Sequence, residues 1–241
     1  MSIFDNPIFN NLLYQPLFNA LILLYGYLPG HDFGISVIIL TILIRLLLHP
    51  LMAGSIKSQK ALAGLQPKIQ EIQEKFKSDQ QKQAEELMLL YKKEKINPFA
   101  GFLSLFIQLP LLIALYRVFW KGLQFQEMPQ LYSFVPYPEI LNTTFLGIIN
   151  LSEANTVLAV IAAVIQFIQM KTLTSSTKNP NKKGKTNQFL EVFQKQTVFF
   201  LPFITFFFLL KLPSAIALYW TTTSLFSIGQ QKFLNNHDKS S

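Results

Sequence analysis

Arg45 is the residue with the clearest capacity for chemistry, because it lies inside a long apolar run. Its neighbours read Ile-Leu-Ile-Arg-Leu-Leu-Leu, and the run begins at Phe33. With a helical rise of about 1.5 Å per residue, Arg45 would lie about 16 Å deep, near the middle of a bilayer. Placing arginine there costs about 2.5–3.5 kcal/mol, and the guanidinium stays charged. The sequence therefore predicts that Arg45 faces a polar, hydrated cavity.

A purely structural role for Arg45 is the alternative. The side chain could snorkel to the interface or form an ion pair inside the membrane. The one acidic residue in the other predicted spans is Glu153, at the outer edge of the third, and no acid lies at the depth of Arg45 to pair with it. This distribution favours the cavity.

Other polar side chains lie at similar depth in later apolar runs. Gln108 lies within the second run, Gln166 and Gln169 share one helical face of the third, and a polar band follows Tyr219 in the fifth. Each alone is typical of a helix–helix hydrogen bond. Together with a charged arginine they predict one amphiphilic groove that accepts a polar or acidic segment of another protein, here called the client. The predicted groove residues are Arg45, Gln108, Gln166, Gln169, Tyr219, Trp220, Thr221, Thr223 and Ser224.

Composition indicates a membrane protein. Half of the 241 residues are hydrophobic, 14% are charged and 23 are Phe, whereas soluble domains carry about 25% charged residues. The chain has no cysteine, its three histidines are far apart, and it lacks a phosphate-binding Gly-rich motif. These features predict no enzyme activity, no cofactor and no metal site. The net charge of +8 lies mainly between the apolar runs, which argues against nucleic-acid binding.

The apolar runs predict five membrane spans, and an apolar stretch over 16–28 predicts an interfacial helix, with a sixth span as the alternative. The predicted fold is an all-α membrane protein with five transmembrane helices around a hydrophilic groove, one N-terminal interfacial helix and one cytoplasmic antiparallel helical hairpin. The predicted segments are an extracellular N-terminal segment 1–32, first span 33–56, cytoplasmic hairpin 57–96, second span 97–120, extracellular segment 121–150, third span 151–171, cytoplasmic basic loop 172–196, fourth span 197–211, fifth span 212–231 and cytoplasmic tail 232–241.

Lysine distribution predicts the orientation. Nine lysines lie between the first two spans, six lie from Lys171 at the end of the third span to the start of the fourth, and the first 32 residues have no Lys or Arg. Because cytoplasmic loops are enriched in basic residues, we expect the N-terminus outside and the C-terminus in the cytoplasm.

The first lysine-rich segment carries a helical pattern. Its apolar residues are spaced three and four apart, a break follows at Ser78-Asp79-Gln80, and the spacing then resumes. This predicts two antiparallel helices, which either dock partners or only connect two spans. The residues of the pattern are Leu62, Leu65, Ile69, Ile72, Phe76, Ala84, Leu87 and Tyr91. The second lysine-rich loop is polar and predicts disorder.

The order of these features resembles the YidC/Oxa/Alb-type membrane protein insertases, in a short form without a large extracellular domain. The resemblance runs from about Gln15 to Gln231. The stretches that carry it are Gly34-Ile-Ser-Val-Ile-Ile-Leu with Ile44-Arg45 and Pro50-Leu51, Leu65-Gln66-Pro67-Lys68-Ile69-Gln70, Leu90-Tyr91-Lys92 with Asn97-Pro98, Ile107-Gln108-Leu109-Pro110 with Ala114-Leu115-Tyr116, Phe167-Ile168-Gln169, and Leu212-Pro213-Ser214 with Leu218-Tyr219-Trp220.

The resemblance implies a groove open to the cytoplasm and to lipid, with Arg45 drawing in the client's extracellular segment. It implies that Gln169 and the region from Trp220 to Ser224 line this groove, and that the hairpin recruits clients or targeting factors. The expected partners are nascent membrane proteins and the lipid bilayer, with the ribosome, signal recognition components and the Sec translocon as further candidates. The expected location is the plasma membrane.

Two other function classes remain open at this point. An intramembrane charge is also usual in a small channel or transporter, although the repeated halves common in transporters are not evident here. A membrane anchor whose hairpin docks a cytosolic complex is the other alternative.

Overall fold

The chain is predominantly helical, as expected. The computed structural model describes residues 6–97, 100–121, 131–138, 141–175 and 188–240. Their elements are α1 (Pro7–Phe9), a π-helical turn (Asn10–Tyr14), α2 (Gln15–Tyr27), α3 (Phe33–Leu47), α4 (His49–Lys75), α5 (Gln80–Lys93), α6 (Ala100–Lys121), β1 (Thr144–Phe145), β2 (Ile149–Asn150), α7 (Thr156–Ser175), α8 (Gln188–Leu209) and α9 (Ser214–Ser240).

The N-terminal helical segment is longer than the predicted interfacial helix over 16–28. It begins at Pro7, where the Asn6 side chain accepts a hydrogen bond from the Ile8 backbone N–H at 2.9 Å. It ends at Tyr27 because Leu28 precedes a proline and adopts an extended backbone. One face of this segment is buried against α3 and α6, through Tyr14, Phe18, Leu21, Ile22 and Tyr25.

The prediction of one helix over 33–56 was wrong. Helix α3 ends at Leu47, and α4 begins at His49 with a bend of 61° between Phe33–Leu47 and His49–Ser55. Pro50 explains the break, because a proline has no N–H and its ring clashes with the carbonyl four residues earlier in a continuous helix. The first helix of the predicted hairpin therefore begins at the bend and not at residue 57.

Helices α4 and α5 lie antiparallel and contact each other. Asp79 caps α5 by accepting a hydrogen bond from the Lys82 N–H at 3.0 Å. The Gln83 side chain donates to the Gln73 carbonyl, and Lys68 forms an ion pair with Glu94 at 2.5 Å. We call residues 49–93 the hairpin.

Helices α3, α6, α7, α8 and α9 form a bundle in which α7 packs against α8 and α9, and α3 packs against α9. Helix α4 of the hairpin packs against α6. The helices differ in extent from the predicted spans: the third helix begins at Thr156, the fourth begins at Gln188, before the predicted span at 197, and the fifth continues to Ser240 through the predicted tail. Polar sequence extends these last two helices beyond their apolar runs. The predicted disordered loop falls largely on residues 176–187, outside the described residues.

Residues 141–155, here called the cap segment, join the first turns of three helices. Strands β1 and β2 of this segment pair antiparallel and were not predicted. Asp32 at the start of α3 accepts a hydrogen bond from the Leu146 N–H at 2.6 Å. Ser214 and Ala215 at the start of α9 donate backbone hydrogen bonds to the carbonyls of Glu153 and Leu151. Helix α7 follows this segment directly, so α3, α7 and α9 begin at the same end of the bundle.

Within the part of the chain that the structure describes, no single helix is both long and apolar enough to cross a bilayer. The pair Phe33–Leu47 and His49–Ser55 reaches that requirement only when the two are taken together. Three shorter helices are apolar, namely Phe106–Trp120, Thr156–Thr172 and Val198–Leu209.

Candidate functional site

Arg45 lies in the last turn of α3, two residues before the helix ends, and its side chain is 8% exposed. The sequence placed it near the middle of a longer span, whereas the bend at Leu48 leaves it close to a helix terminus. The backbone carbonyls at a helix C-terminus carry partial negative charge, which favours a cation nearby. The structure therefore places Arg45 beside the junction between the bundle and the hairpin.

A chain of side-chain hydrogen bonds joins Arg45 to two other helices. Its Nη2 donates to Oε1 of Gln108 on α6 at 2.8 Å, and Nε2 of Gln108 donates to the hydroxyl of Tyr219 on α9. Tyr219 is 1% exposed. Three of the predicted groove residues thus form one polar cluster, in which Arg45 and Tyr219 are buried and Gln108 is half-buried, and which we call the arginine cluster.

The arginine cluster has no carboxylate. Among the described residues, no acidic side chain forms a salt bridge with Arg45. The buried Nε of Arg45 has no hydrogen-bond partner among the described atoms. The guanidinium thus retains both an uncompensated charge and spare hydrogen-bonding capacity.

The polar band of α9 is partly committed to its own helix. The hydroxyls of Thr221 and Thr222 donate to the carbonyls four residues earlier, at 2.8 and 2.9 Å. Thr223 lies one turn beyond Tyr219, and its buried Oγ1 has no hydrogen-bond partner in the described part of the protein. Ser224 is also buried, while Trp220 is half-buried against the apolar core.

The two predicted glutamines of α7 lie apart from the arginine cluster. Gln166 is 4% exposed, and its Oε1 has no hydrogen-bond partner among the described residues. Gln169, one turn farther along, is half-buried. The predicted site residues therefore divide into a connected cluster on α3, α6 and α9 and a glutamine pair on α7, which packs against α8 and α9.

Comparison with known proteins identifies the family. Residues 24–241 match the family described as 60Kd inner membrane protein. A protein of Listeria innocua named membrane protein insertase YidC 2 is 33% identical over 217 residues, which cover 88% of this chain and 67% of that protein. The chain belongs to the YidC/Oxa/Alb family. The resemblance inferred from the sequence motifs is thereby confirmed.

Longer members of the YidC/Oxa/Alb family also match. Proteins named membrane protein insertase YidC are 36% identical over 230 residues in Buchnera aphidicola and 33% identical over 225 residues in Syntrophus aciditrophicus. These alignments cover 94% and 92% of this chain but 38% and 36% of the relatives. The chain thus spans little more than a third of the length of these relatives.

A second arginine of this YidC/Oxa/Alb family member, Arg117, was not among the predicted site residues. Arg117 on α6 donates a hydrogen bond to Oδ1 of Asn10, and its guanidinium lies 4.4 Å from the ring centroid of Tyr14. It therefore fastens the N-terminal helical segment to the bundle. The sequence feature that identified Arg45 is an arginine within an apolar run. Arg117 has the same feature, in Ala-Leu-Tyr-Arg-Val-Phe-Trp, and could have been identified in the same way.

Further buried polar residues lie outside the predicted site, namely Asn19, Ser36, Thr41, Ser55, Thr205, Ser214, Gln230 and Gln231. Gln230 lies near the bend, with its Nε2 3.5 Å from the His49 carbonyl. No cluster of three or more potential metal ligands occurs in the described ranges.

Proposed function

We propose that this YidC/Oxa/Alb family member is a membrane protein insertase and chaperone. It moves short polar extracellular segments of client proteins through an amphiphilic groove and releases their apolar helices to lipid. Its clients are nascent membrane proteins. The relatives that match are themselves named membrane protein insertases, which supports this function.

The observation that carries the proposal is the charge of Arg45. A buried cation without a carboxylate is costly to keep, and in a membrane such a residue marks a functional site. A client's acidic segment supplies the missing opposite charge. A transporter would also use an intramembrane charge, but the repeated halves common in transporters are not evident in the sequence.

The proposed membrane arrangement uses five helices. Helix α3 with the first turns of α4 forms the bent first span, and α6, α7, α8 and α9 form the others. The N-terminus and the cap segment lie outside, while the hairpin beyond Ser55 and the C-terminal end of α9 lie on the cytoplasmic side of the plasma membrane. Lysines are concentrated in the segments assigned to the cytoplasm and absent from the first 32 residues, which supports this orientation.

The proposed mechanism lowers the cost of desolvating polar chain. A client first contacts the hairpin, and its polar segment then enters beside Arg45, Thr223 and Gln166. These groups replace part of the lost hydration, which reduces the penalty for burying polar groups. The apolar helix of the client then partitions into lipid, driven by apolar burial. This cycle uses no nucleotide or other cofactor, while the ribosome, signal recognition components and the Sec translocon are candidate delivery partners.

Insertion of a small client into liposomes that contain only this protein tests the proposal. Arg45→Ala should reduce insertion of a client with an acidic extracellular segment by about ten-fold, as expected for loss of roughly 1.4 kcal/mol. Leu109→Met is a matched control, because Leu109 follows Gln108 on α6 but is 45% exposed. Wild-type liposomes that insert no more client than empty liposomes would refute the function.

Crosslinking tests the path of the client. Because the sequence contains no cysteine, a single introduced cysteine provides a unique attachment site. Probes at Gln169 and Thr223 should label an arrested client, while a probe at the exposed Phe203 of α8 should label it weakly. Labelling confined to Phe203 would reject the groove. Deletion of residues 57–96, which keeps the spans, separates insertase from anchor, since an anchor would lose all client contact and an insertase should retain some.

A further inference from the structure

The side-chain amide of Gln108 is engaged at both ends. Its Oε1 accepts from Arg45 at 2.8 Å, and its Nε2 donates to the Tyr219 hydroxyl. These two contacts connect α6 to α3 and α9 over sequence separations of 63 and 111 residues. These contacts use one lone pair of Oε1 and one N–H of Nε2, so what Gln108 can still offer a client is a second, uncharged hydrogen bond at each end.

Arg45, in contrast, keeps unused capacity. A guanidinium has five N–H donors, and the buried Nε of Arg45 has no acceptor in the described part of the chain. The charge is also uncompensated, because Gln108 accepts a hydrogen bond without carrying charge. The two neighbouring residues therefore differ in what they can offer a client.

We propose that Gln108 is a positioning residue that holds the Arg45 guanidinium in place while leaving its charge available. This inference rests on the proposed function and changes the role predicted from the sequence, in which Gln108 itself bound the client. The amide supplies an acceptor that orients the guanidinium, and Tyr219 in turn orients the amide. The occupant that completes the cluster is a carboxylate of the client.

A neutral acceptor suits this role better than an acidic one. A carboxylate at the position of Gln108 would form a charge-assisted pair with Arg45, which is shorter and stronger than a neutral hydrogen bond. The client's carboxylate would then compete with a permanent internal partner. An apolar side chain at the same position would leave the guanidinium without its acceptor, free to turn away from the client path.

Two isosteric variants separate these effects. Gln108→Glu keeps the shape and adds the internal charge, and Gln108→Met keeps the approximate length and removes both hydrogen bonds. The test uses two clients that differ only in whether the extracellular segment is acidic or uncharged. We expect Gln108→Glu to slow insertion of the acidic client about ten-fold, equivalent to roughly 1.4 kcal/mol, and the uncharged client less than about two-fold. Leu109→Met serves again as the control.

A role in folding alone would slow both clients equally. That result, or unchanged insertion of the acidic client by Gln108→Glu, would overturn the inference. Selective loss of the acidic client in both Gln108 variants supports it.

Nuclear magnetic resonance of the labelled arginine side chains gives a readout that does not depend on insertion. Arg45 and Arg117 are the two arginines of the sequence, and Arg117→Lys assigns their Nε signals. Gln108→Met should shift the Arg45 signal and speed its hydrogen exchange, while Gln108→Glu should slow that exchange. If wild-type protein inserts neither client, the proposed function fails, and this spectrum still decides the inference: an unchanged Arg45 signal in Gln108→Met overturns it.

Discussion

The carboxylate of Asp32 binds the backbone N–H of Leu146, across a sequence separation of 114 residues. Its Oδ2 accepts this hydrogen bond at 2.6 Å, while Oδ1 accepts from the N–H of Ile35 at 2.9 Å. One side chain therefore caps α3 and holds the turn between β1 and β2. Because the cap segment also bonds to the start of α9, this contact helps to fix the two helices that carry Arg45 and Tyr219.

Substitution of Asp32 should separate its two roles. Asp32→Ala removes both acceptors and should lower the free energy of unfolding by about 2–4 kcal/mol, as expected for a lost cap together with a lost charged hydrogen bond. Asp32→Asn keeps one oxygen for Ile35 but presents its amide N–H₂ to Leu146. Thermal unfolding in detergent should rank wild type above Asn and Asn above Ala. Equal stability of Asn and wild type would contradict the bond to Leu146.

Gly34 lies directly beneath the cap segment, and Gly34→Ala should destabilise the protein. A Cβ placed on Gly34 would lie 2.2 Å from Cδ2 of Phe145. Alanine favours a helix over glycine by about 1 kcal/mol, but overpacking at a closed contact costs about 1–3 kcal/mol. We therefore expect a net loss of stability, measured by the same thermal unfolding.

Two variants control for the effect at Gly34. Gly64→Ala lies in α4 where an added Cβ meets no atom within 4 Å, so it should be neutral or slightly stabilising. Gly34→Ala combined with Phe145→Ala should lose less than the sum of the two single changes, because the two ring atoms at 2.2 and 2.5 Å are removed and only the Cβ of residue 145, at 2.7 Å, remains close. Additive losses would show that the two residues do not interfere.

The ion pair of the hairpin predicts a response to acid. Lys68 lowers the pKa of Glu94, first by donating a hydrogen bond and then through its positive charge. Because the pKa is lowered in the folded hairpin, the pair stabilises it above the ordinary carboxyl value of 4.5 and loses this effect as the pH falls through the lowered value. Spin labels on Glu71→Cys and Leu89→Cys should report a broader α4–α5 distance in acid.

Glu94→Gln is the matched control for the hairpin. It should show the broader distance distribution at every pH, with little further change in acid. The effect should also weaken in high salt, because the pair is solvent-exposed. An unaltered acid transition in Glu94→Gln would assign the response to other carboxyl groups.

Sequence periodicity located the helices better than their ends. Apolar runs predict where a chain can enter lipid, but a helix can continue in water, as α8 does from Gln188 and α9 does to Ser240. Pro50 gave a local reason for the bend, yet the predicted first span ran through it. The two-residue strands of the cap segment are too short to produce an alternating pattern.

The site was predicted as a set of residues and not as a geometry. Arg45, Gln108 and Tyr219 stood out because they are polar within apolar runs, but their pairing spans three helices and depends on how those helices pack. Gln166 and Gln169 share a helical face in sequence, whereas their burial differs in the bundle. The role of Arg117 depends on Asn10 and Tyr14, and no spacing in the sequence links them.

Gln166 offers a test of function against stability. Its side chain is buried, and its Oε1 has no hydrogen-bond donor among the described residues. Such a group costs about 1–3 kcal/mol when it is left unsatisfied, and residues of this kind persist where function requires them. Gln166→Met removes the polar group at similar length. It should raise the thermal unfolding temperature in detergent and reduce insertion of a client into liposomes.

The two measurements on Gln166→Met together decide its role. A more stable protein with unchanged insertion would show that Gln166 does not serve the client, and a less stable protein would show that its amide has a structural partner. Gln169→Met is the control for stability, because Gln169 is only half-buried and its removal should gain little. If only Gln166→Met gains stability, and if it also inserts the client more slowly, the result would support a groove in which the client supplies the missing hydrogen-bond partners.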